Sequence, residues 1–266
     1  MVVGHAGSGF FTPFNPFNPL PPSSLRSVLQ ALDRGAEGIE VDLELSRDSV
    51  PVLYHDVTLE TMTKTGRGCV SEQTAAALIQ LQFQGGWPYD WFHREKMVTL
   101  DTLLGRLEKR GRPFPYLHLD LHEDLPCLSP VQRQRHSAAL ARQLVALLRL
   151  YHVPAERVLV VSDQPATLAR VHQLWPAATL GFEVTHDFES QLTQALAQKV
   201  QAVVLSQDLT TPENVARAHA AGLAVITFGG RSGRLMRRLI AAGPDGYEAD
   251  NVPKLLKLLG RPRPRR

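Results

Sequence analysis

Apolar and polar side chains alternate along two segments of the chain. The segment Gly38–Leu45, GIEVDLEL, places apolar residues on one side and acidic residues on the other. The segment Pro115–His122, PYLHLDLH, does the same with leucines on one side and histidines and an aspartate on the other. Because successive side chains of an extended chain face opposite ways, each pattern predicts a β-strand with one polar face.

Helical stripes and short apolar runs alternate along the rest of the chain. Early elements are predicted as a strand at 1–7, a helix at 25–34 capped by Ser24, and a hairpin strand at 51–54. Later helices are predicted at 103–110, 130–151, 166–174, 190–198, 212–221, 233–242 and 252–259, and later strands at 157–162, 179–184, 202–205, 224–228 and 245–249.

About eight strand–helix units in a chain of 266 residues favour a single-domain (β/α)₈ TIM barrel over residues 1–260, in the α/β class. The hairpin at 51–54 adds one extra strand, and residues 84–96 form a small insertion after strand 2. A doubly wound open sheet is the alternative, although no glycine-rich nucleotide fingerprint follows the first strand.

Composition and charge exclude several classes of protein. The net charge is only +3, and much of the basic excess lies in the tail 261–266, RPRPRR, which is predicted to be disordered. We therefore do not expect nucleic-acid binding. No run of 18 apolar residues predicts a membrane span, and the first residues lack a signal-peptide pattern. Two cysteines are too few for a disulfide framework and are typical of a reducing compartment, so we expect a cytoplasmic protein.

Six polar residues come to one end of the predicted barrel. They are His5 at the end of the first strand, Glu40 and Asp42 on the second, His55 at the end of the hairpin, and Asp120 and His122 at the end of the strand 115–122. Active sites of this fold form at the C-terminal ends of the strands. Glu40 and Asp42 present carboxylates on the same side, which suits a hard divalent cation. The alternative is a solvated acidic face on an edge strand.

The sequence resembles the glycerophosphodiester phosphodiesterase family over nearly the whole chain. Its specific block is Gly35–Gly68, which has the family's glycine turn, Glu-x-Asp strand and His-Asp hairpin end at His55-Asp56. His5-Ala6-Gly7 stands at the family's His-Arg-Gly, Asp120-Leu121-His122 at its Glu-x-Lys, and 243–259 at its closing strand.

The resemblance implies hydrolysis of glycerophosphodiesters to glycerol 3-phosphate and an alcohol. It implies one divalent cation, Mg²⁺ or Ca²⁺, at Glu40, Asp42 and Asp120, because oxygen-only ligands suit both ions. His5 and His55 are the predicted general acid and base, in an order that the sequence leaves open. A small-molecule substrate is the expected partner, and the sequence does not define an oligomeric state.

Departures from the family pattern leave the substrate more open than the reaction. Ala6 replaces an arginine that contacts phosphate, Pro21–Ser24 replaces the Pro-Glu-Asn-Thr signature, and the aromatic-Thr-x-Asn segment is altered at 228–231. We predict that His122 or Arg231 binds the substrate phosphate instead.

Two further alternatives follow from the sequence. The Phe-rich loop, with Phe10, Phe11, Phe14 and Phe17, is predicted to be an internally packed cover or a lipid-facing patch. The second case suits a lysophospholipase D-like enzyme that acts on single-chain lipids. The loss of the arginine at Ala6 suits a catalytically silent barrel that binds phosphate.

Overall fold

The computed structural model describes residues 1–10, 20–85, 89–91, 94–123 and 125–261. The predictions for Phe11, Phe14 and Phe17 and for the tail after Arg261 lie outside these residues. Arg261 itself lies against the N-terminal end of the barrel, where it forms an ion pair with Glu37.

The described residues form nine strands and ten helices. The strands are β1 (Val2–Gly4), β2 (Gly38–Leu45), β3 (Pro51–Leu53), β4 (Tyr116–Leu121), β5 (Val158–Ser162), β6 (Thr179–Val184), β7 (Ala202–Ser206), β8 (Ala224–Phe228) and β9 (Gly246–Ala249). The helices are α1 (Leu25–Asp33), α2 (Leu59–Met62), α3 (Ala75–Leu78), α4 (Leu100–Arg110), α5 (Pro130–Leu150), α6 (Pro165–Leu174), α7 (Phe188–Ala197), α8 (Pro212–Ala220), α9 (Gly233–Ala242) and α10 (Val252–Leu258).

Eight of the strands close into a parallel barrel. The order runs β1-β9-β8-β7-β6-β5-β4-β2, and β1 pairs with β2 to complete the circle. Strand β3 pairs antiparallel with β2 and lies outside the barrel. The predicted single-domain (β/α)₈ barrel with an additional hairpin strand is therefore confirmed.

Local sequence explains where the helices begin. Ser24, Thr99, Ser129, Thr211 and Ser232 each accept a hydrogen bond from a backbone N–H in the first turn of the helix that follows. Such caps stabilise a helix by about 1 kcal/mol each, because they satisfy donors that have no partner inside the helix.

The interior of the barrel is apolar on one side and polar on the other. Outside the barrel, between its sheet and the surrounding helices, lies a continuous core of leucine, valine and alanine side chains. Inside the barrel the two halves differ. Alternate residues of β5, β7 and β8 form a separate apolar cluster, which consists of Leu159, Val161, Ala202, Val204 and Ile226. Strands β2, β4 and β9 instead carry the buried polar residues Glu40, His118 and Glu248. This polar half of the interior leads directly to the candidate site.

The structure corrects one expectation about the cysteines. Cys69 and Cys127 form a disulfide between the loop after α2 and the loop after β4. The cysteine content therefore no longer supports a reducing compartment, since disulfides persist mainly in oxidising ones. Among the described helices, none combines the length and apolar character needed to cross a lipid bilayer.

Candidate active site

A cavity of about 50 Å³ opens at the C-terminal ends of the barrel strands. It is lined by His5, Glu40, Asp42, His55, Asp120, Val161, Glu183, Val204, Phe228 and Glu248. The structure thus brings together both predicted catalytic histidines and all three predicted metal-binding carboxylates. The cavity has room for an ion with one or two waters, since a water occupies roughly 30 Å³ in the liquid.

Two loop residues orient the carboxylates of β2. The backbone N–H of Ala6 donates to Glu40 Oε2 at 2.6 Å, and the Ser23 hydroxyl donates to Asp42 Oδ2 at 3.1 Å. Ala6 and Ser23 have φ angles of 44° and 52°, in the left-handed region, and the N–H of Ser23 donates to the Ala6 carbonyl. Such conformations are uncommon for residues other than glycine and recur at functional sites.

Strand β4 delivers the third predicted metal-binding carboxylate at the same level. Parallel pairing places Asp120 opposite Asp42, and His118 opposite Glu40, one layer deeper. Burial and the charges of Glu183 and Asp42 raise the pKa of Asp120 well above its usual range. Burial and the charges of Asp42 and Glu248 do the same to the pKa of Glu40. A bound cation would relieve this mutual repulsion.

Strands β6 and β9 add two carboxylates to the cavity. Burial and the charge of Asp163 raise the pKa of Glu183 to about 7. Glu248 is buried and lies 2.6 Å from the Nδ1 atom of His118, which is buried as well. Neither glutamate is among the site residues predicted from the sequence. A single acidic residue in the apolar strand β6 and a period-two acidic pattern at Glu248 and Asp250 were the available signals.

His5 is supported by an acidic partner just after β9. Its Nδ1 atom lies 2.8 Å from Asp250 Oδ1, and Arg231 Nε donates to Asp250 Oδ2 at 2.9 Å. Burial lowers the pKa of His5, but the hydrogen bond to Asp250 and the nearby carboxylates outweigh burial and raise it above its ordinary value. Arg231 therefore contacts the partner of a predicted catalytic residue, and Asp250 is a supporting residue that the sequence analysis missed.

His55 has a similar arrangement on the other side. Its Nδ1 atom lies 2.7 Å from Asp56 Oδ1, and its ring stacks on the ring of His122 with centroids 5.2 Å apart. Burial lowers the pKa of His55, while the Asp56 hydrogen bond and the charge of Asp42 outweigh burial, so the net shift is upward. His122 thus lies beside the predicted catalytic pair.

Phe10 lies between the two histidines. Its ring contacts His5 edge-on at 5.2 Å and His55 edge-on at 4.8 Å between centroids. Phe228 packs against His5 from another side at 5.7 Å. These aromatic contacts limit the positions that both imidazoles adopt. Of the Phe-rich loop, Phe10 is the phenylalanine that the structure describes.

The arrangement suits phosphoryl chemistry. Buried carboxylates provide oxygen ligands for a hard cation, and two imidazoles with carboxylate partners provide two proton-transfer groups at the same cavity. Because each Nδ1 atom engages a carboxylate, Nε2 is the ring nitrogen that remains for proton exchange.

Comparisons with known proteins agree with this geometry. Residues 17–254 match the model of the glycerophosphoryl diester phosphodiesterase family. The Mycobacterium tuberculosis protein "Probable glycerophosphodiester phosphodiesterase 1" is 30% identical over 213 residues, which cover 73% of this chain and 72% of that protein. The Bacillus subtilis glycerophosphodiester phosphodiesterase is 25% identical over a matched region that covers 96% of this chain and 84% of that protein.

A solved structure has the same fold. The Oleispira antarctica phosphodiesterase in complex with the product sn-glycerol-3-phosphate superposes with a TM-score of 0.81 at 24% identity, over 98% of this chain and 96% of that one. At this identity the likeness is evidence for the fold. Taken with the family match, it leads to one conclusion: the chain belongs to the glycerophosphoryl diester phosphodiesterase family and is a phosphoric diester hydrolase.

Proposed function

We propose that the chain hydrolyses glycerophosphodiesters to glycerol 3-phosphate and an alcohol, with a divalent cation at Glu40, Asp42 and Asp120 and with proton transfer by His5 and His55. The observation that carries the proposal is the convergence of these five side chains on one cavity. The product named for the Oleispira antarctica phosphodiesterase is sn-glycerol-3-phosphate, which supports the substrate class.

The donor set fits a hard cation. Three carboxylates offer oxygen ligands without a thiolate or imidazole among them, which favours Mg²⁺ or Ca²⁺. Among the described residues, the carboxylate oxygens of Glu40, Asp42 and Asp120 do not form a group whose atoms all lie within 4.8 Å of one another. Cation binding would therefore draw the three carboxylates closer together. When bound, the ion would offset the charge on the phosphate oxygens as a Lewis acid.

His5 and His55 handle the protons. One imidazole takes the proton of the attacking hydroxyl at Nε2, and the other gives its proton to the leaving alcohol oxygen as the P–O bond breaks. The attacking group is the neighbouring glycerol hydroxyl, which gives a cyclic phosphate that water then opens, or it is water directly. Asp250 and Asp56 stabilise the protonated form of each imidazole in turn.

The phosphate still needs a partner in place of the family arginine at Ala6. Arg231 is partly exposed, and its guanidinium pairs with Asp250 through Nε. A guanidinium carries five N–H donors in a fork that matches phosphate oxygens, so Arg231 binds phosphate while it retains Asp250. His122 is the second candidate, because it stacks on His55.

A cytoplasmic location stays a prediction from sequence, and the Cys69–Cys127 disulfide argues against it. Single-chain lipids remain the alternative substrate, whereas the silent phosphate-binding barrel is set aside because the chain belongs to a family of phosphodiesterases. Phe10 packs against both histidines and so gives no specific support for a lipid-facing surface.

The test is release of glycerol 3-phosphate from glycerophosphoethanolamine by the purified protein. We expect turnover with added Mg²⁺ or Ca²⁺, its loss after chelation, and its recovery when the ion returns. Turnover that survives exhaustive chelation contradicts the requirement for a cation, whereas a complete lack of turnover with either ion refutes glycerophosphodiesters as the substrate class.

A further inference from the structure

A pocket of about 290 Å³ lies at the N-terminal end of the barrel, whereas the catalytic cavity lies at the C-terminal end. The segments that lead into β2, β4 and β5 bound this pocket, together with the ends of α1 and α4. Its floor is apolar and includes Leu32, Ala36 and the buried Phe114. The charged side chains that line it are Arg110, Arg112, Arg157 and Glu37.

The charged side chains that line the pocket carry a net charge of +2, because three are arginines and one is a glutamate. Arg110 pairs with Asp33 at 2.7 Å, and Glu37 pairs with Arg261 at 2.9 Å. Asp33 and Arg261 have opposite charges, so the total stays at +2 when both are included. Three further arginines follow Arg261 in the sequence. The pocket is therefore positively charged.

Aromatic rings hold the two remaining arginines in place. The Cζ atom of Arg112 lies 5.4 Å from the ring centroid of Phe114, and that of Arg157 lies 4.5 Å from the ring centroid of Tyr116. These cation–π contacts use none of the N–H donors in a hydrogen bond. Arg112 gives one donor to the carbonyl of His152 at 3.4 Å. Within the part of the chain that the structure describes, neither guanidinium forms an ion pair with a carboxylate.

The charge, donors and size of the pocket suit a phosphate monoester. Such a group carries a charge of roughly −1.5 to −2 at pH 7, which matches the lining, whereas a phosphodiester carries a single negative charge. The N–H fork of a guanidinium matches the oxygens of phosphate, and two such forks line the same space. At roughly 30 Å³ per non-hydrogen atom, the volume of a water in the liquid, the pocket has room for a phosphate with a short organic chain.

We propose that this pocket is a second phosphate site, at the opposite end of the barrel from the catalytic cavity, in which Arg112 and Arg157 bind a phosphate monoester. The ligand is a soluble phosphate ester or a lipid whose head group is a phosphate monoester, since both present the same dianion. The inference does not rest on the proposed function, because none of the residues that line this pocket lines the catalytic cavity.

The experiment measures the binding of inorganic phosphate to the whole chain by calorimetry, with a chelator present. The chelator removes the cation that holds phosphate in the catalytic cavity, so the measurement reports on the pocket. Arg112→Gln and Arg157→Gln are each expected to raise Kd at least tenfold, because each removes hydrogen bonds between charged groups. The matched control is Arg170→Gln on the exposed face of α6, which is expected to leave Kd unchanged.

Two further titrations identify the source of the phosphate. Glycerol 3-phosphate represents a soluble ester, and phosphatidylcholine vesicles with phosphatidic acid represent a lipid head group. Vesicles with phosphatidylglycerol, an anionic diester, control for surface charge. A lipid source predicts a preference for phosphatidic acid over phosphatidylglycerol that both arginine variants abolish. A soluble source predicts binding of glycerol 3-phosphate that both variants weaken, without that preference between vesicles. Thermal melting of each variant checks that the fold persists.

Three results would overturn the second phosphate site. The first is a lack of phosphate binding by the chelated protein. The second is binding that Arg112→Gln and Arg157→Gln leave unchanged, which places the anion elsewhere. The third is an equal loss in Arg170→Gln, which shows only the general attraction of anions to a basic protein. None of these results bears on release of glycerol 3-phosphate with the cation present, so the proposed function stands or falls separately.

Discussion

Asp250→Asn probes the site while every predicted catalytic and metal-binding residue is left unmutated. The carboxylate accepts from Nδ1 of His5 at 2.8 Å and from Nε of Arg231 at 2.9 Å, and its side chain is only 6% exposed. The amide keeps the shape of the side chain but removes its charge. His5 then loses the group that orients its ring and stabilises its protonated form.

The expected size of the effect follows from these contacts. A hydrogen bond to a charged group contributes roughly 1.5–3 kcal/mol, and each 1.36 kcal/mol of barrier changes a rate tenfold, so kcat is expected to fall about 10- to 100-fold. The pH profile is expected to move as well. Asp250 raises the pKa of His5 and burial lowers it, so removal of the charge lowers that pKa. Whichever role His5 has, its limb of the kcat/KM profile shifts to lower pH.

The assay is the initial rate of glycerol 3-phosphate release over a wide pH range, with thermal melting as a check of folding. Asp245→Asn is the matched control, because Asp245 pairs with His219 at 2.9 Å just before β9, whereas Asp250 lies just after it. The control is expected to leave kcat and its pH profile unchanged. Near-wild-type kcat and an unshifted profile in Asp250→Asn would refute the assigned role of the pair.

Three further predictions concern the two histidines, the cation and the disulfide. His5→Ala and His55→Ala are each expected to lower kcat by about 10²–10⁴ with metal content unchanged, since general acid–base catalysis contributes that much; a variant with near-wild-type kcat removes that histidine from the reaction. Glu40→Gln is expected to abolish cation binding measured by calorimetry and most of the turnover, with the melting temperature of the cation-free protein retained; unchanged binding contradicts Glu40 as a ligand. Replacement of Cys69 and Cys127 by serine is expected to lower the free energy of unfolding, measured by denaturant titration, by at most about 4 kcal/mol. This limit is the loop-closure entropy of a bond between residues 58 positions apart. Unchanged stability would show that the disulfide does not form in solution.

Much of the fold was predictable because the barrel repeats one pattern. Each unit pairs a short apolar strand with a capped amphipathic helix, and the register of β2 and β4 follows from their matching polar faces. The same period-two rule singled out Glu40 and Asp42, because acidic residues on one face of an otherwise apolar strand are costly to bury unless they are paired, hydrogen-bonded or bound to a cation.

The supporting residues were harder to find because they depend on barrel closure. Asp250 reaches His5 only because β9 pairs with β1, across 245 positions of sequence. Glu248 of β9 likewise contacts His118 of β4 only in the closed barrel, because 130 positions of sequence separate the two residues. The Cys69–Cys127 bond joins two loops whose proximity no local pattern encodes. Ser23 contributes through a left-handed backbone that its proline-rich surroundings do not specify.

A crystal structure with Mg²⁺ or Ca²⁺ and inorganic phosphate tests the central claim most directly. We expect one cation with oxygen ligands from Glu40, Asp42 and Asp120, at about 2.0–2.1 Å for Mg²⁺ or about 2.3–2.6 Å for Ca²⁺. We expect the phosphate on that cation between His5 and His55, with His122 or Arg231 within hydrogen-bond distance. A phosphate bound elsewhere on the barrel, with the three carboxylates free of metal, would contradict the account.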